Sequence, residues 1–533
     1  MYSSYTTLQR AQLAKQEYLD TQEVFLGVYA PGRNAALKAS LQDQLHRKFL
    51  LTDSLRPEAL GSAAGVLLVR EDLFLMPTAL SCFADALRSG ADYVTSDAVF
   101  GYSGVTTLYH SQGFAACPGC ALVSRELLRR CQAEARDPEN PVELLTLAAK
   151  LSRSHVCLPL ALAHYERDIC AEDVWSVKGK RVFIMSHLLD MTGAPIVLVS
   201  AVPVLRSMGY EVLVLGPSDG GSLHLFLDAG ASVITRSSCR NVSDAWGMAL
   251  CADFVIANTV VMARAVRALS GTAVPVLWWL HDAFAGYPHI AHQIPTQLGE
   301  NVRVYSVGSH AANAMHAVRP DFEIRPLIYG LPDYAAENFV CTDLGYNRGR
   351  PLFATVGSFE RRKGHDIFCK AIRLLPPEVR EKASFLFVGQ AADKEMMDSV
   401  RALTADYPEN VYYCKRLTRD EIKSLMEQCT GLVCASRDDP MPTFVTEGLI
   451  FGKPSIVSEH TGTAGLISEG RNGFVYHNDD PQQLAVLLEY AIEHPEELAS
   501  MRTECRKMYE QYYSKEAFEQ TLRAAVEDLT AKK

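Results

Sequence analysis

Short apolar runs alternate with helical patterns twice along this chain, and few folds accommodate such a series. In the middle of the sequence a run from Lys180 to His187 enters a loop over 188–193, and a helical pattern opens near Ala194. Further runs follow at 211–215, 254–257, 274–280 and 302–306. From about Arg348 the alternation restarts, with runs at 352–356, 384–388, 410–413, 431–435 and 455–457. Runs this apolar are buried on both faces, which favours parallel strands with helices on either side. Two successive series predict two doubly wound α/β domains, over residues 179–340 and 341–515. A terminal helix over 516–533 is expected, with Phe518, Leu522, Ala525, Val526 and Leu529 on one face. Asp480 followed by Pro481 marks a helix start, an N-cap before a proline at the first helical position.

Doubly wound sheets hold ligands at the carboxyl ends of their strands, so the loops after the runs carry the chemistry. The run 352–356 leads into Gly357-Ser-Phe-Glu-Arg-Arg-Lys-Gly364. Lys363 beside Arg362 offers a cationic tip that can neutralise a diphosphate, and Gly364 lets the backbone turn into the next helix. A solvated basic turn would have the same composition. The run 431–435 leads into Asp439-Pro-Met-Pro-Thr-Phe-Val-Thr-Glu447. Here a helix begins at Pro442, and the backbone N–H groups of Thr443 and Phe444 at its positive end suit an anion. Asp439 and Glu447 suit hydroxyl groups, although acids also complement a helix amino end with no ligand. Cations for a diphosphate and carboxylates for hydroxyls are the components of a nucleotide-sugar site.

These stretches resemble the two signature loops of the retaining GT-B glycosyltransferases of family 4, over roughly residues 179–530. The second loop matches that family's pair of acids separated by seven residues, with Asp439 in place of the usual first Glu, and Gly452-Lys-Pro454 follows. The resemblance implies that Lys363 and Arg362 bind the donor diphosphate together with the Thr443 and Phe444 N–H groups, and that Glu447 binds the ribose. It implies that Asp439 faces the transferred sugar, and that His281, closing the run 274–280, contacts that sugar at the reaction centre. Thr192-Gly193-Ala194 is similar to the glycine loop that passes close to the diphosphate and acceptor. It also implies a final helix that crosses back onto the first α/β domain. Two departures stand out. Ser358 occupies the place of an arginine usual in the family, and Asp439 reaches one methylene less far than Glu.

Composition narrows the partners. A net charge of −10 argues against nucleic acid, whose phosphates demand an excess of Lys and Arg. Residues Met1–Asp20 lack the apolar core of a signal peptide. The longest apolar stretch, Ala194–Leu205, contains two prolines and is too short to span a bilayer. A cytoplasmic protein is expected, with membrane association only at the inner face and through the acceptor. The 14 cysteines lie scattered in apolar runs and read as reduced core residues. Cys117-Pro-Gly-Cys120 has redox or zinc spacing, but no second pair answers it.

The first block, residues 1–170, is separated from the rest by a polar stretch over 168–180 that reads as a linker. Its Ala91-Asp-Tyr-Val-Thr-Ser-Asp97, and its closing Leu158–Tyr165, resemble a shortened GT-A domain of glycosyltransferase family 2. Such domains hold a divalent metal with Asp-x-Asp, because hard cations prefer carboxylate oxygens. Asp97 is followed by Ala98 and Val99, so the second ligand is missing and the domain reads as degenerate. The expected activity is metal-independent, cofactor-free transfer of a sugar from a nucleotide-diphosphate donor to a glycan or lipid-linked acceptor, with retention, in surface polysaccharide or glycoconjugate synthesis. A nucleotide-sugar epimerase of GT-B architecture and a non-catalytic nucleotide- or glycan-binding partner of another transferase are the alternatives.

Overall fold

A computed structural model describes residues 24–30, 34–69, 72–102, 105–110, 120–175, 179–237, 239 and 244–531. The chain divides into two compact units, Met1–Val276 and Leu277–Lys533.

The strands of the first unit are β1 (Leu26–Tyr29), β2 (Phe49–Thr52), β3 (Gly65–Val69), β4 (Phe74–Leu75), β5 (Tyr93–Tyr102), β6 (Val105–His110), β7 (Cys120–Ser124), β8 (His155–Tyr165), β9 (Lys180–Met185), β10 (Tyr210–Gly216), β11 (Ser232–Thr235) and β12 (Phe254–Asn258). They form one sheet in the order β12-β9-β10-β11-β6-β5-β7-β3-β1-β2, with β8 beside β5 and β4. From β9 to β12 the pairing is parallel, and strand order reverses between β9 and β12. Helix α1 (Gly193–Ser207) starts after the β9 loop. The seam between the first block and the α/β series is antiparallel, Val233 opposite His110 and Thr235 opposite Leu108.

That seam carries a buried ionic cluster. His110 Nδ1 lies 2.8 Å from Asp97 Oδ2, and His110 Nε2 lies 3.4 Å from Asp219 Oδ1, which also accepts from the Thr235 hydroxyl at 2.8 Å. Burial alone would lower the His110 pKa, but the Asp97 carboxylate, then Asp219, push it up to about 10. The Asp97 carboxylate thus faces a histidine from the neighbouring strand, at a bulge in the β5–β8 pairing. Part of the expected linker is also built in. Arg236 holds Asp168 at 3.0 Å, and Asp173 is fully buried against Arg167 at 2.7 Å.

The second unit begins within β13 (Val276–Leu280), followed by β14 (Val302–Ser306), helix α2 (Ser309–His316) and β15 (Ile324–Pro326). Its main sheet contains β16 (Leu352–Val356), β17 (Ser384–Val388), β18 (Val411–Cys414), β19 (Gly431–Cys434), β20 (Ser455–Ser458) and β21 (Gly473–Tyr476). These are parallel throughout, in the order β18-β17-β16-β19-β20-β21. Helices α3 (His365–Leu374), α4 (Arg419–Gln428), α5 (Thr443–Ile450), α6 (Pro481–Glu493) and α7 (Lys515–Thr530) complete the picture used below. The Asp480 side chain caps α6 by accepting from Gln483 N, as the Asp-Pro pair predicts. Helix α7 buries Phe518, Leu522, Ala525, Val526 and Leu529. Phe518 stacks on Trp279 of β13 at 5.9 Å, and Leu331 N donates to Tyr513 O just before the helix.

Within the two α/β series, three strands have no counterpart among the expected runs. β11 is Ser-Val-Ile-Thr, β15 ends in proline, and β21 opens on glycine. Each is short and flanked by turn-formers, so sequence periodicity has too little length to register. Among the described residues no two cysteines are joined by a disulfide. Cys117 lies outside the described residues, and burial pushes the Cys120 thiol up to about 12.

Candidate functional site

In the second unit, strand order reverses between β16 and β19, the place where a doubly wound sheet opens a crevice at its carboxyl edge. The loop after β16 carries Arg361–Lys363 as a single 3₁₀ turn. Gly364 ends it at φ +67°, and a side chain there would drive into the Ala435 carbonyl. Only glycine combines that backbone angle with so close an approach, so the turn places Lys363 against the β19 loop. Lys363 Nζ lies 2.6 Å from Asp439 Oδ2. Asp439 is buried, with Ser436 and Met441 N–H as further and longer donors. His365, buried just beyond, is neutral, since burial and then the Lys363 cation push its pKa down to about 3.

Arg362 donates to Asp438 O at 3.2 Å and pairs with Glu360 at 2.9 Å. Ser358 donates to the same Glu360 carboxylate at 2.9 Å. Helix α5 has Pro442 as N-cap; Thr443 is exposed and Phe444 buried. The Thr443 and Phe444 N–H groups show no hydrogen bond among the described residues. Glu447, the fifth residue of α5, is mostly buried and bound by Arg419 Nη1 at 2.6 Å. Arg419 in turn stacks its guanidinium 3.9 Å above the Tyr334 ring. His281 directly follows β13, half-buried, its ring 4.7 Å from that of Trp279.

The structure therefore brings Lys363, Asp439, Arg362 and the α5 amino end to one sheet edge. Four further residues had no marking in the sequence. Arg437 grips Asp366 at 2.8 Å and Asp479 at 2.7 Å; burial would raise the Asp366 pKa, but Arg437 and Lys370 hold it below the usual range. Asp438, His310 and Arg419 are the others. The tripeptide Arg437-Asp438-Asp439, three charges in a row beside a proline, was the available signal.

In the first unit Gly193 opens α1 at the corresponding reversal, beside β9 and β12. A Cβ at Gly193 would meet nothing within 4 Å, so the protein itself does not require glycine there. Gly216, Gly220 and Gly221 are crowded instead, the first two against Leu189 and the third against Met191 in the β9 loop. Thr259, just past β12, has φ +74°, a strained angle for a branched residue at a sheet's ligand edge. In the second unit, a cavity of about 520 Å³ lined by Arg303, Asp321, Glu323 and Arg325 lies at the amino edge of β14 and β15.

Two sequence families match the chain. Residues 178–318 match glycosyl-transferase family 4, and residues 342–508 match glycosyl transferases group 1. Residues 178–318 and 342–508 thus each match a glycosyltransferase domain. An uncharacterized glycosyltransferase of Methanocaldococcus jannaschii is 25% identical over 194 residues, 36% of this chain and 53% of that protein. Spore coat protein SA of Bacillus subtilis is 26% identical over 154 residues, 27% of this chain and 40% of that protein. The chain thus spans about half the length of the curated relatives it matches. Among solved structures, HepE of Anabaena in complex with UDP superposes with a TM-score of 0.54 at 18% identity, covering 66% of this chain and 100% of that one. Sucrose-phosphate synthase of Thermosynechococcus elongatus gives 0.53 at 15% identity, covering 66% and 99%. At these identities the likeness concerns the fold. Among the described residues no helix is long and apolar enough to cross a membrane.

Proposed function

We propose that this GT-B protein transfers a sugar from a nucleoside-diphosphate donor to a glycan or lipid-linked acceptor, with retention at the anomeric carbon. The observation that carries this reading is the meeting of the Lys363 turn and the α5 amino end on either side of the β16/β19 reversal. Lys363 has three N–H donors and Asp439 uses one, which leaves two for a diphosphate. Arg362 and the Thr443 and Phe444 N–H groups complete the anion site. Glu447 keeps a carboxylate oxygen for the ribose while Arg419 holds the other. Asp439 and His281 then serve the transferred sugar. Stabilisation of the departing diphosphate is the main catalytic contribution, delivered by groups already in place. No resident cofactor or metal is required in this scheme. Work at the inner face of a membrane, in surface glycan synthesis, suits a lipid-linked acceptor.

The test is release of nucleoside diphosphate from a panel of nucleotide sugars, beginning with UDP-glucose because the superposed HepE structures hold UDP or UDP-glucose. Product anomers are read by NMR. Turnover with retention is expected. Sugar interconversion without acceptor would make the protein an epimerase, and binding without turnover would make it a non-catalytic partner. Neither binding nor turnover across the panel would sink the proposal.

A further inference from the structure

Arg437, Asp438 and Asp439 reach three different places from consecutive positions. Arg437 goes to the start of α3 and Asp439 to Lys363, as described. Asp438 goes to the loop that follows His281. Its Oδ1 accepts from Phe284 N at 3.1 Å and its Oδ2 from Ala285 N at 2.9 Å. Those are the leading amides of the 3₁₀ turn Phe284–Gly286, so the carboxylate caps that turn. Asp438 Oδ1 also sits 2.7 Å from His310 Nε2, near the start of α2. His310 is buried, its ring 5.1 Å from Phe284 and 5.8 Å from His460. Burial would raise the Asp438 pKa, but His310 and the Ala285 and Phe284 amides hold it below the usual carboxylate range. On the other side Arg362 donates to the Asp438 carbonyl.

We infer that Asp438 is a positioning residue, which ties the loop carrying His281 to the two donor loops and so fixes His281 for sugar transfer. The inference rests on the proposed transferase reading. Only Asp282 and Ala283 separate His281 from the first anchored amide, so the loop's placement follows that of the carboxylate. The anion-binding groups have their own supports in Gly364, Asp439 and the α5 backbone. Removing the anchor therefore affects the chemical step and spares nucleotide binding. Displacement of a reacting group by an ångström costs about 100-fold in rate.

Two measurements on the full chain test this. In Asp438→Asn, hydrogen exchange at the Phe284 and Ala285 amides should accelerate while exchange within Thr443–Ile450 stays unchanged; this readout needs no activity. With UDP-glucose, or whichever panel donor turns over, kcat should fall about 100-fold while the UDP dissociation constant stays within about twofold. Combining Asp438→Asn with His281→Ala should cost little more than His281→Ala alone. His310→Ala, which keeps the carboxylate, should show the same pattern in milder form if Asp438→Asn fails to fold. Unchanged exchange at 284–285, or fully multiplicative effects of the two substitutions, overturns the inference. A wild-type protein without turnover refutes the transferase reading and the catalytic role with it, while exchange still decides whether the anchor exists.

Discussion

Replacing Lys363 by alanine separates two roles that the geometry superimposes. The ammonium lies 2.6 Å from Asp439, whose side chain is only 4% exposed. Without it that carboxylate keeps a Met441 N–H at 3.3 Å and a Ser436 hydroxyl at 3.5 Å, both long for charge-assisted bonds. Breaking a buried pair by removing one partner costs about 3–5 kcal/mol. Lys363 is itself 20% exposed, so water softens the loss and about 2–3 kcal/mol is expected. The same lysine is assigned to the departing diphosphate, where its loss should slow turnover at least about 100-fold, about 2.7 kcal/mol. The double substitution Lys363→Ala with Asp439→Asn removes the stranded charge. It should recover most of the urea midpoint yet none of the nucleoside-diphosphate release. Return of activity in the double variant would show that Lys363 serves only to neutralise Asp439. Near-normal activity in the single variant would reduce the whole turn to a solvated surface feature.

Three further outcomes are expected. Turnover should persist in excess EDTA, since side chains and a helix end neutralise the leaving group; loss restored by Mn²⁺ or Mg²⁺ would contradict this. Gly364→Ala should lower the urea-unfolding free energy by more than about 2 kcal/mol, combining a left-handed backbone angle with a clash against Ala435. His110 binds its proton more tightly folded than unfolded, so its stabilisation is complete below pH of about 6.5 and is lost as pH rises through about 10. The urea-unfolding free energy measured across that window should fall at up to about 1.4 kcal/mol per pH unit, and His110→Gln should flatten the slope.

Much of the fold was legible because its strands are apolar on both faces and sharply bounded. The runs 352–356, 384–388 and 302–306 coincide with β16, β17 and β14. The site was legible only where chemistry and local backbone coincide, as in the Lys363 turn and the start of α5. What escaped were side chains whose meaning lies in distant partners. Asp438 answers to an amide 154 positions away, and Arg419 to a carboxylate 28 away. Neither spacing has a period that a helix or strand imposes, so no pattern search exposes it. Asp97 shows the converse. Its neighbours suggested the remnant of a cation site, whereas its bonded partner is a histidine across the sheet.

The β6–β11 seam also sets a schedule for synthesis. Strand β6 ends at His110, and the strand that covers its open edge ends at Thr235. At translation rates of about 5–20 residues per second, that edge waits roughly 6–25 s for its partner. An uncovered strand edge over such an interval invites pairing with other chains. Here the waiting edge ends at His110, set against the Asp97 carboxylate of the neighbouring strand, and an inward-pointing charge is a known guard against mispairing. The arrival of Asp219 and Thr235 then completes the ionic cluster around that charge. The region that looks in sequence like a detachable module is, in the growing chain, an unfinished sheet.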